Sequence, residues 1–197
     1  MPDLEILKGK TFVQIVRWES LPLVYKAITA ITKAGPAAIT AASHGVPDGW
    51  PVAIVSAGGM RQINAKNWPL RGSDFHKTTY VNANSLTLND VNSTDYTTYT
   101  SGGYVVYYTP VSLAGYSARL QIRETAEATG TPLVSLVSPT NITLDDSAKT
   151  ITITIAATVT DDYTWYAGVY DLELESSGGV VTQLLSGNIT AVDEVTR

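Results

Sequence analysis

TITITI, residues 150–155, sets Ile151, Ile153 and Ile155 on one side of an extended chain and threonines on the other. Side chains alternate across a strand, so this stretch reads as a half-buried β-strand with one dry face and one wet face. The same period recurs nearby. In SARLQIR, 117–123, Ala118, Leu120 and Ile122 alternate with Ser117, Arg119, Gln121 and Arg123, and in YDLELE, 170–175, Tyr170, Leu172 and Leu174 alternate with acidic residues. Ser177-Gly178-Gly179 precedes the apolar Val180, Val181, Leu184 and Leu185, which predicts a glycine-closed hairpin over 169–186. Asn188 to Val192 is expected to add a terminal strand. Between them, Thr160 reads as the N-cap of one short helical turn, with Asp161 and Asp162 placed near its amino end.

Working back toward the amino terminus, strands are again favoured. AITAITKAGPAAITAA, 27–42, is alanine-rich, but Gly35-Pro36 interrupts it and the Ile-Thr repeats on either side suit two short strands joined by a turn. Val52 to Val55 is a short strand, and Thr79 to Val81 with Ser85 to Leu88 reads as a hairpin around Asn82-Ala83-Asn84. TFVQIVRW is a further strand, ending at Glu19-Ser20-Leu21-Pro22. The fold class that follows is all-β.

Charge divides the chain. From Tyr104 onward there are eleven Asp and Glu against Arg119, Arg123, Lys149 and Arg197, a balance of −7, whereas Ala27 to Gly103 holds five basic against four acidic residues. Met1 to Lys26 cannot form a domain alone. The acidic half, at about 94 residues, falls short of the roughly 100–150 usual for a domain and could use its strand. The expected organisation is a discontinuous β-sandwich, 1–27 plus 105–197, with a small β-barrel-like domain, 28–104, inserted where its two ends lie close together.

Composition excludes several chemistries. The chain has no cysteine, so disulfides, thiolate metal sites and a cysteine nucleophile are ruled out. A net charge of −5 with scattered positive residues disfavours nucleic acid as a partner. MPDLEILKGK alternates charged and apolar residues, which fits neither a signal peptide nor a membrane span, so a soluble chain made in the cytoplasm is expected, with no membrane partner.

Two stretches carry a resemblance. ITAITKAGPAAITAASHGVPDGWPVAIVSAGGMRQINAKN with TLNDVNSTDYTTYTSGGYV resembles the small β-domain that phage proteins share with the first catalytic-cysteine half-domain of ubiquitin-activating enzymes. The likeness rests on His44, Gly45 and Gly49, on Gly58-Gly59-Met60, on Asn64 and on Tyr99 to Gly103. Thioester chemistry does not carry over, because there is no cysteine and no Gly-x-Gly-x-x-Gly loop. The flanking parts, with Gly115-Tyr116, the Arg119 strand, Gly168 to Asp171 and Leu185-Ser186-Gly187, are similar to a β-sandwich of bacteriophage tail, baseplate and neck proteins. The resemblance implies a structural protein located in the virion, working as a homo-oligomer against other virion proteins.

Catalytic candidates are few. His44 sits at a tight turn where a structural hydrogen bond is its ordinary role, and His76 lies in a polar run that reads as exposed. Asp145-Asp146 and Asp161-Asp162 invite calcium or glycosidase readings, but the first suits a turn and the second a helix start. No Gly-x-Ser-x-Gly elbow is present. The expectation is no enzyme, no metal and no cofactor. Tyrosine and tryptophan outnumber phenylalanine, and Tyr96, Tyr99, Tyr104, Tyr107, Tyr108, Trp50 and Trp68 are the candidate interface residues, either packed at the domain junction or anchoring a protein contact. Carbohydrate stacking on Trp50 or Trp68 is the alternative. Trp18 and Trp165 read as core.

Overall fold

The computed structural model describes residues 3–195. The chain divides into two compact units, Met1–Trp18 with Ser112–Arg197, and Glu19–Val111. It is mostly β-strand, and the sandwich-like all-β class expected from alternation holds.

The first unit stacks two sheets. Strands β1 (Leu4–Leu7), β10 (Ser117–Arg123), β11 (Val134–Val137), β14 (Ala167–Glu175) and β15 (Val181–Val192) form a five-stranded sheet in the order β1-β15-β14-β10-β11. Strands β2 (Phe12–Val16), β12 (Ile142–Asp145) and β13 (Thr150–Ile155) form a three-stranded sheet with β13 in the centre. Leu120, Ile122, Leu172 and Leu174 from the first sheet share one core with Ile142, Ile151, Ile153 and Ile155 from the second. Strands β10 and β13 occupy the predicted residues, because strict alternation leaves only one register that buries every branched side chain. Trp18 and Trp165 pack against this core while keeping partial exposure.

Three expectations for this unit need correction. Asn188 to Val192 is the continuation of β15, not a separate strand. The short helix α1 spans Ala157–Asp161 with Ala156 as N-cap, so Asp161 and Asp162 lie at its carboxyl end. Thr160 cannot cap it, since its buried hydroxyl donates to the carbonyls of Lys10 and Ala157, at 2.8 and 2.9 Å.

The second unit curls one seven-stranded sheet into a half-barrel, ordered β3-β9-β6-β7-β8-β5-β4. Its strands are β3 (Glu19–Ala27), β4 (Ala30–Ile31), β5 (Ala37–Thr40), β6 (Pro51–Val55), β7 (His76–Asn82), β8 (Ser85–Leu88) and β9 (Tyr104–Pro110). The β4–β5 and β7–β8 hairpins stand where turn residues placed them. Ile39, Ile54, Leu86 and Leu88 fill the core around a fully buried Trp50. The boundaries at 27 and 105 move outward. Strand β3 pairs with β9 from Glu19↔Pro110 to Ala27↔Tyr104, so the two strands that enter and leave the insertion are bonded to each other and belong to it.

Candidate functional site

An edge strand exposes unpaired backbone donors and acceptors, and most edges carry something that blocks a newcomer. Here β3 has Pro22, a register irregularity between Ser20 and Leu23, and charges at Glu19 and Lys26; β4 is two residues long. Strands β1 and β12 are four residues each and contain Glu5 and Asp145; β11 is equally short and uncharged. Strand β2, FVQIV, has no charge and no proline, and its pairing with β13 runs without interruption from Phe12 to Val16. Val13 and Ile15 point outward at 54% and 52% exposure. Their cross-strand neighbours are Thr154 and Thr152, with Thr143 beyond, so the outer face around Val13 and Ile15 is apolar and hydroxylic, with Arg17 following β2 and Asp145 at the end of β12.

The seven aromatic candidates separate. Trp50 is wholly buried, with Nε1 donating to the Tyr108 carbonyl at 3.1 Å and its own carbonyl accepting from Thr78 Oγ1 at 2.8 Å. Tyr107 is buried too; its hydroxyl donates to the His44 carbonyl and burial pushes its pKa up. Neither can anchor a partner or stack a sugar, because each is held inside by its one polar group. Tyr96 and Tyr99 pack partly buried against the same core, and the Tyr99 hydroxyl lies 2.9 Å from the carbonyls of Ile28 and Gly102. Tyr108 is stacked on Phe75. Tyr104 is exposed, edge to face with an equally exposed Tyr25 that the sequence reading missed. Trp68 is 72% exposed.

Trp68 rides on a fixed loop. The buried Asp74 carboxylate accepts from Arg71 N and Lys66 N, each at 2.9 Å, and from Asn67 Nδ2 at 3.0 and 3.1 Å. The Arg71 and Lys66 backbone bonds hold its carboxyl below the usual range. The loop's one carboxylate is thus turned inward, while Lys66, Trp68 and Arg71 face solvent.

In the other unit, Lys8, Asp161, Tyr163, Tyr166, Asp193 and Glu194 line an open cavity of about 920 Å³. Lys8 is 7% exposed, its Nζ 3.2 Å from Asp193 Oδ1 and 3.8 Å from the Tyr166 ring centroid. Lys10 pairs with Glu194 at 2.7 Å. Tyr166 remains 61% exposed. The Tyr163 hydroxyl is buried without a hydrogen-bond partner among the described residues, and burial raises its pKa. The sequence reading did not find this cavity, since Lys8, Asp161 and Asp193 come from three distant stretches.

The polar candidates are internally engaged. Val46 N–H donates to His44 Nδ1 at 3.0 Å, which leaves Nε2–H to donate to the Asn82 carbonyl at 2.8 Å; the imidazole is a structural bridge. His76 is partly buried rather than exposed, with Nδ1 2.9 Å from Asp90 Oδ2. Asp145 accepts from Ser147 and Ala148 in the β12–β13 turn. Asp146 accepts from Lys149 Nζ and Leu113 N, both at 2.6 Å, and from Ser112 Oγ at 3.0 Å, with its pKa held at about 2, Lys149 being the largest cause. Among the described residues no three His, Asp or Glu groups converge as a metal site, and no helix is long and apolar enough to cross a membrane. The chain matches no protein-family model and no curated protein sequence.

Proposed function

We propose that the chain is a non-enzymatic structural component of a bacteriophage virion, in the tail, baseplate or neck, where copies assemble with one another and with other virion proteins. The observation that carries this reading is the β2 edge, open, uncharged and flanked by exposed Val13 and Ile15. A partner strand laid along β2 gains main-chain hydrogen bonds and covers both side chains. Each side chain is half exposed already, so its covering contributes on the order of 1 kcal/mol. One such contact is weak, and a symmetric ring repeats it until the whole is strong. The resemblance of the flanking stretches to tail, baseplate and neck sandwiches supplies the setting.

Mass spectrometry of purified particles from a phage encoding this chain tests the reading. The chain is expected at a fixed copy number, and a Val13→Lys, Ile15→Lys chain is expected to fold and be left out. Its absence from particles, or normal incorporation of the edge variant, overturns the proposal. A carbohydrate-binding role for a phage adhesion device keeps Trp68 alone of its two tryptophans, because Trp50 is buried. Glycan-array binding lost on Trp68→Ala would favour it.

A further inference from the structure

We propose that the Trp68 loop of one copy seats in the Lys8–Asp161–Tyr166 cavity of a second copy, joining chains head to tail. This rests on the assembly reading above and names a second contact besides the β2 edge.

Three properties of the loop fit it as the inserted part. Trp68 is among the most exposed large apolar side chains of the described residues, and an exposed indole is a common centre of binding energy. The Asp74 network fixes the backbone at Lys66 and Arg71, so little ordering remains for association to offset. Lys66 and Arg71 are exposed and form no ion pair among the described residues.

The cavity is complementary on each count. Its volume of about 920 Å³ lies within the range of pockets that enclose whole ligands, roughly 300–1,000 Å³. Asp161, Asp193 and Glu194 line it, and Asp161 has no cation partner among the described residues. Tyr166 has Lys8 against its ring and most of its surface still open, which suits an indole in offset or edge contact.

Charge selects this occupant over a symmetric one. The unit that holds the cavity has thirteen Asp and Glu against seven Lys and Arg, and the unit that holds the loop has five against six. Cavity against cavity would oppose carboxylates to carboxylates; loop into cavity opposes cations to them. Because the two patches differ, the contact is heterologous and propagates into a ring or a filament.

The test uses full-length chain, isotopically heavy and light copies mixed, with carbodiimide cross-linking that joins an amine directly to a carboxylate. Links between Lys66 and Asp161, Asp193 or Glu194 in peptide pairs of mixed isotope are expected. Trp68→Ala and Lys66→Glu with Arg71→Glu should weaken self-association about 30-fold or more by native mass spectrometry. All three positions are exposed, so folding is retained and circular dichroism checks it. A Trp68→Ala chain mixed with an Asp161→Arg chain should stop at 1:1 dimers, since only one good contact remains. Links confined to one isotope, no links, unchanged association of Trp68→Ala, or cavity binding by a glycan that Tyr166→Ala abolishes would each overturn the contact. If the chain is found in particles while these links are absent, the head-to-tail contact alone fails; if it is never found in particles, the assembly reading fails independently.

Discussion

Trp50→Ala puts the architecture of the second unit to its hardest test. The side chain is wholly buried at the centre of the half-barrel core, and its Nε1 donates to the Tyr108 carbonyl. Truncating a buried Trp costs about 3–5 kcal/mol. Leaving the Tyr108 carbonyl without its donor adds about 1–3 kcal/mol. A unit of this size has about 5–15 kcal/mol in all. Together these come to about 4–8 kcal/mol, and with a urea slope of about 1–1.5 kcal/mol/M even a loss of about 4 kcal/mol lowers the midpoint by about 3–4 M. Trp50→Phe keeps one ring in the core and gives up the donor, at a cost of about 1–3 kcal/mol, so its midpoint falls by about 1–3 M. Pulsed hydrogen exchange in urea, read by peptide, follows peptides of 19–111 separately from those of 112–195. A Trp50→Ala chain whose 19–111 peptides unfold at the original midpoint would refute the reasoning.

Two further outcomes follow from the same geometry. Asp146 has its native pKa depressed to about 2, so its ionised form is favoured by folding; the stability it contributes is full above the unfolded value near 4 and is lost as pH falls through the window from about 4 to 2. Asp146→Asn should therefore flatten the fall of Tm between pH 5 and 2, and an unchanged slope would contradict this. Gly59 has φ +75° and a Cβ there would stand 2.2 Å from the Thr98 carbonyl oxygen. Gly59→Ala should cost more than the roughly 1–2 kcal/mol of left-handed strain alone, while Gly72→Ala, with open space around it, should change thermal unfolding little.

The legible parts of this chain are those where a local pattern has only one satisfactory burial. TITITI and SARLQIR became β13 and β10 residue for residue, and Ser176 to Val180 closes the β14–β15 hairpin with Gly179 at φ +77°. The sequence reading ends the TFVQIVRW strand at Glu19-Ser20-Leu21-Pro22, whereas a second strand, β3, begins at Glu19 and runs through Pro22 to Ala27; at a sheet edge with a register irregularity beside it, Pro22 costs no ladder bond that matters. That one strand moved both domain boundaries. Strand β1 was invisible, being four residues whose partner, β15, lies parallel at the far end of the chain. Among the aromatics, nothing local distinguishes Trp50 from Trp68, since only tertiary packing decides that one is core and the other is displayed on the Asp74 loop. The β2 strand was legible as a strand, but its status as an open edge depends on which strand lies beside it.

That edge is where the account is most exposed. Hydrogen exchange of the β2 amides, compared between the free chain and the same chain within purified particles, measures it directly. Amides of 12–16 that face away from β13 should exchange freely in the isolated chain and become protected on assembly. Exchange along β2 that is the same in the particle as in solution would contradict the claim that this strand docks the protein to its neighbours.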